Sequence, residues 1–215
     1  MAVMRIIIMT ESSKFSGKCV AGIDVNAGRW VRLVSDDEET HGAIANRDLY
    51  YQDGGRCEVL DIVDVPIIEE CGNDIQPENV LIDTTKYIKY VGMASIDDVL
   101  EIHSAEKRTY ILGNQYSYIS EQRIDTVGHS LTLIEVQDLK IEQVENPNGR
   151  PKTKATFTYQ GYKYRQMSVT DPKFYSVPDG TEYKNAILVV SIGTPYNEKY
   201  YKFVSGIYIW NTFLD

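Results

Sequence analysis

Apolar and polar positions alternate with period two through VAGIDVNAGRWVRLVS (Val20–Ser35), the signature of a half-buried β-hairpin. Asn26 and Gly28 sit where the turn needs positive φ. In the second arm Val31 and Leu33 fall on one face, while Trp30, Arg32 and Val34 fall on the other. An indole and a guanidinium thus share a surface. They form either a stacking and phosphate platform or part of a second hydrophobic layer.

The same rhythm predicts strands over Met4–Thr10, Lys18–Val25, Arg29–Ser35, Arg56–Ile68 and Tyr87–Val91, the fourth bending round a barrel until Pro66 ends it at an edge. Ser95 and Asp98 make a capping-box pattern before Val99, Leu100 and Ile102, which predicts a short helix to about Ser104. Signals over 105–129 are mixed, with a strand at Thr109–Leu112 and a helical turn at Ser120–Ile124. Strands return over Ser130–Val136, Lys140–Glu145, Lys154–Gln160, Tyr162–Val169, Ala186–Ile192 and Tyr200–Trp210, linked by the turns NPNGRP and YQGY. The expected fold is mainly β: two tandem OB-like barrels, 1–94 and 130–215, joined by a helix-containing bridge, 95–129.

A chain of 215 residues can bury a core without disulfides or metals. Cys19, Cys57 and Cys71 lack CxxC spacing and read as reduced thiols of a cytoplasmic protein. The apolar run at the N-terminus is interrupted by Arg5 and reads as a first strand, and no stretch has the length of a membrane helix, so no membrane partner is expected. A net charge of −9 opposes bulk attraction to nucleic acid, so any such binding must rest on a local basic groove. The 16 tyrosines suit half-buried strands.

Four blocks then stand out: CVAGIDVNAGRWVRLVS after RIIIMTESSKFSGK, QPENVLID at Gln76–Asp83, VTDPKFY at Val169–Tyr175, and ILVVSIGTPYNEKYYKFVSGIY at Ile187–Tyr208. In this order, over nearly the whole chain, they resemble the dual OB-containing domain family of uncharacterised prokaryotic proteins. Gly28, Trp30 and Arg32 occupy the glycine, tryptophan and arginine positions of its first block. The resemblance implies two tandem OB-like barrels and a nucleic-acid-binding role, in the setting of microbial conflict systems.

Enzymatic signatures are missing. GKC at Gly17–Cys19 lacks the rest of a phosphate loop, and Ser191 lacks the preceding glycine of a nucleophile elbow. His41, His103 and His129 have no metal-ligand spacing, and the acidic runs read as solvated loops. Asp171 reads as the cap of a turn begun by Pro172, and with the surplus of carboxylates it is all that an enzymatic reading could use. No cofactor is expected. The positive features are local: Lys152 and Lys154 beside one turn, Lys163 and Arg165 on one strand face, and Lys199 and Lys202 among tyrosines. The expectation is a non-enzymatic module that binds single-stranded DNA or RNA through Arg29, Trp30, Arg32, Lys163, Arg165 and Lys202. The alternative is a module for a protein partner or a small nucleotide-like ligand.

Overall fold

The computed structural model describes residues 2–14, 16–145, 149 and 151–209. The chain forms two compact units, Met1–Ser104 and Ala105–Asp215. The expected bridge is therefore divided: the helix belongs to the first unit, and 105–129 to the second.

In the first unit the strands are β1 (Ala2–Lys14), β2 (Gly17–Asp24), β3 (Trp30–Val34), β4 (Ile44–Ala45), β5 (Asp61–Glu70), β6 (Asn79–Ile82) and β7 (Lys89–Met93), followed by α1 (Ile96–Ile102). The path β1-β2-β3-β6-β5 closes on itself, because β5 also pairs with β1. The closing pair β3–β6 is parallel and the others are antiparallel. This is the OB topology, a five-stranded Greek-key barrel. Ile6, Ile8, Val20, Val31, Leu33, Val63, Val65 and Val80 fill its interior. Pro66, expected to end a strand, lies within β5 opposite Val3.

The second unit repeats the plan with β8 (Tyr118–Ser120), β9 (Leu131–Glu145), β10 (Pro151–Tyr159), β11 (Tyr162–Val169), β12 (Glu182–Tyr196) and β13 (Lys199–Ile209). The path β9-β10-β11-β13-β12 closes through the parallel pair β11–β13, with β8 added to β13. Strands expected at Ser130–Val136 and Lys140–Glu145 are one strand, bent at Asp138, whose φ is 51°. Thr109–Leu112 is not a strand; it leads into a 3-10 turn at Ile111–Gly113. Most of the NPNGRP turn, including Arg150, and Trp210 lie outside the described residues.

Candidate nucleic-acid interface

OB barrels take ligands on the outer face of their second and third strands. In the first unit these are β2 and β3. Ile23 pairs with Trp30, Ala21 with Arg32 and Gly22 with Val31. Val31 and Leu33 enter the barrel core, so Trp30 and Arg32 share the opposite side of the strand, as the alternation predicts. That side is not an open platform. Trp30 is 8% exposed, and Ile23 and Ala21 beside it are buried.

Trp30 packs edge-on against His103, with ring centroids 5.5 Å apart. His103 lies just past α1, where its Nδ1 is 2.7 Å from the Gly28 carbonyl oxygen. Gly28 has φ +63°, and a Cβ there would meet the Ile102 carbonyl at 2.7 Å, so glycine is required where helix and turn converge. The indole is thus part of a second hydrophobic layer, and this corrects its assignment as a stacking surface.

Arg32 is half-buried; burial lowers its pKa, against the opposing pull of nearby Cys19 and Glu78. Arg29 is exposed, but its guanidinium is held bidentately by Glu70, which raises its pKa, and it lies 3.9 Å from Asp24. An arginine already matched to a carboxylate has little charge left for a phosphate.

Lys202 requires a larger correction. Expected at the surface, it is 1% exposed. Its Nζ donates to the Ile111 carbonyl at 2.6 Å, the Asn114 carbonyl at 2.8 Å and Asn114 Oδ1 at 2.9 Å. Three acceptors satisfy the three donors of an ammonium, while burial drives its pKa down to about 7. Lys202 is an internal strut that fixes the 3-10 turn. Of its sequence neighbours, Tyr200 is buried, and Lys199 lies 4.5 Å over the Tyr118 ring in a strip formed with Tyr116 and Tyr201.

The corresponding face of the second unit, on β10 and β11, is open. Thr153, Ala155, Phe157 and Tyr159 point inward, leaving Lys152, Lys154, Thr156 and Thr158 outward. Across from them Tyr164 and Met167 point inward, and Lys163 and Arg165 are exposed. No carboxylate occurs from Asn146 to Thr170, while Arg150, Lys152, Lys154, Lys163 and Arg165 all do. Among the described residues, Lys152, Lys163 and Arg165 make no ion pair; Lys154 donates to Ser168 Oγ at 2.8 Å, and burial lowers its pKa. Tyr162, at the hairpin's end, rests against Tyr110 with centroids 4.9 Å apart.

The overall charge changes meaning once it is divided between the units. The first unit carries nine Lys and Arg against nineteen Asp and Glu, the second thirteen against twelve. The entire acidic excess belongs to the unit whose β2–β3 face is filled.

The family model described as Dual OB-containing domain matches residues 4–207. The chain belongs to the dual OB-containing domain family. No curated protein matches it. In this dual OB-containing protein Asp171 caps the 3-10 turn that Pro172 begins. Both Asp171 oxygens accept backbone N–H groups, from Lys173 at 3.0 Å and Ile207 at 3.1 Å, as the capping reading expects. His129 lies 3.5 Å from Glu106, which raises its pKa, and accompanies the Val127 carbonyl at 2.8 Å. Cys57 is buried, its thiol pushed up to about 11, whereas Cys71 is exposed. Among the described residues no cluster of ligands could hold a metal, and no helix is long and apolar enough to cross a membrane.

Proposed function

We infer that the protein is a non-enzymatic module that binds single-stranded nucleic acid on the β10–β11 face of its second barrel. The observation that carries this reading is the carboxylate-free hairpin, with Lys152, Lys163 and Arg165 open on the strands that OB barrels use for ligands. Lys154 borders the same track, where it donates to Ser168 Oγ, and the Thr156 hydroxyl beside it donates to Glu142 of the neighbouring strand β9 at 2.6 Å. Phosphate contacts supply affinity there, so binding is salt-sensitive. The reading carries with it the cytoplasmic setting expected from the cysteines and the defence setting implied by the family.

Fluorescence polarization with labelled single-stranded and duplex DNA and RNA, at several salt concentrations, tests it. Wild type is expected to prefer a single strand, and Lys163→Ala and Arg165→Ala should each lower the salt slope by about 0.7. Slopes unchanged in both variants would remove this face from the interface. The strip made by exposed Tyr116 with half-buried Tyr118 and Tyr201 favours a protein partner as the second reading, because tyrosines anchor protein interfaces. Absence of nucleic-acid binding at low salt would leave that reading in place.

A further inference from the structure

Beside the cationic hairpin, wholly within the second unit, lies a pocket of about 370 Å³. Gln137, Gln160, Asn185, Thr158 and Glu135 line it, over a floor that includes Val136 and Ala186. Strand register aligns part of this lining. Asn185 pairs with Gln137, Gln137 with Thr158, and Thr158 with Lys163, so one transverse row runs across β12, β9, β10 and β11. Three inter-strand spacings make this row about 14 Å long. It connects the pocket to the proposed phosphate track.

We propose that this pocket receives one amino-bearing nucleobase, with the free amides of Gln137, Gln160 and Asn185 reading its edge. The proposal rests on the strand-binding reading above. Among the described residues, none of the three side-chain amides forms a hydrogen bond within the protein, so each keeps its donors and acceptor for a ligand. Gln160 also holds φ 49° before Gly161 in the YQGY turn, where asparagine or glycine would be less strained.

The pocket's amides, rather than its charge, favour a base, because Lys107 and Glu135 both line it and offset each other. Glu135 is exposed and makes no ion pair among the described residues, whereas Glu106 is engaged by Arg108, Thr132 and His129. A free carboxylate accepts from an exocyclic amino group, and an amide can pair bidentately with adenine. The volume lies at the small end of the range for ligand pockets, about 300–1,000 Å³, as one nucleoside requires.

The test compares adenine, cytosine, uracil and abasic single strands in polarization, with free adenosine and cytidine followed by amide NMR. An adenine or cytosine strand should bind about tenfold more tightly than uracil or abasic strands, and Gln137→Ala and Asn185→Ala should each erode that preference. Lys163→Ala should weaken all strands alike. Equal affinity for all four strands, or a preference untouched in both amide variants, would overturn the pocket while leaving strand binding intact. If no strand binds but free nucleosides shift the amides of Gln137, Gln160 and Asn185, the pocket stands and the strand reading falls. If neither binds, both fall.

Discussion

Lys202 shows how a single buried ammonium can tie stability to pH. Its folded pKa is about 7, against about 10.4 for an unperturbed lysine. Between these values the unfolded chain binds the extra proton, so this residue makes stability rise with pH. Below about pH 7 both states are protonated and the full desolvation cost is present. Thermal unfolding is therefore expected to show a contribution from this group that increases from pH 7 to pH 10 and disappears in Lys202→Met; identical pH profiles for the two proteins would contradict it. None of this was legible in the sequence. In YYKFV every residue flanking the lysine is apolar or aromatic, so there is no polarity contrast to reveal that Lys202 shares the inward side with Tyr200 and Val204. Trp30 is the converse case. Alternation assigns its side of β3 correctly, but not the His103 that arrives from more than seventy residues away to cover it.

Elements long enough to show their own periodicity were readable. The capping box before α1 is present as expected: Asp98 N–H donates to Ser95 Oγ at 3.1 Å, and Ser95 N–H donates to the Asp98 carboxylate at 2.7 Å. The Ser95 hydroxyl, and then the Ser95 N–H, donating to the Asp98 carboxylate hold that carboxyl below its usual pKa. Because α1 has only seven residues, the cap matters to its position. Ser95→Ala should cost about 1 kcal/mol in denaturant unfolding, without changing strand affinity. A cost near zero would mean that packing around Val99 and Ile102 alone holds the helix. Elements of three or four residues were not legible. β6 and β8 lack room for two turns of alternation, although β6 completes the first barrel and β8 carries Tyr118. The candidate site was half readable: Lys163 and Arg165 stand where the pattern puts them, whereas Gln137 and Asn185 become neighbours only through strand order.

At the scale of the whole molecule, one topology occurs twice with opposite treatment of its outer face. The first copy fills the β2–β3 surface with Ile23 and Trp30 and holds the acidic excess; the second leaves β10–β11 polar and cationic. Expressed separately, residues 105–215 should retain salt-dependent affinity for a single strand and residues 1–104 should show none, by the same polarization assay. Retention by the first fragment instead would relocate the interface. The barrel seams have a kinetic consequence as well. The second barrel closes through only two parallel residue pairs, Ser168 with Phe203 and Val169 with Val204, against a nine-pair ladder between β9 and β12. Only two pairs repay the entropy of joining segments 35 residues apart (168 to 203), whereas the longer loop between β9 and β12 is repaid by nine, so closure of the seam belongs late on the folding route. The same short join is where the barrel is expected to open first, which would leave β11, with Lys163 and Arg165, held by β10 alone and able to adjust to an irregular polymer.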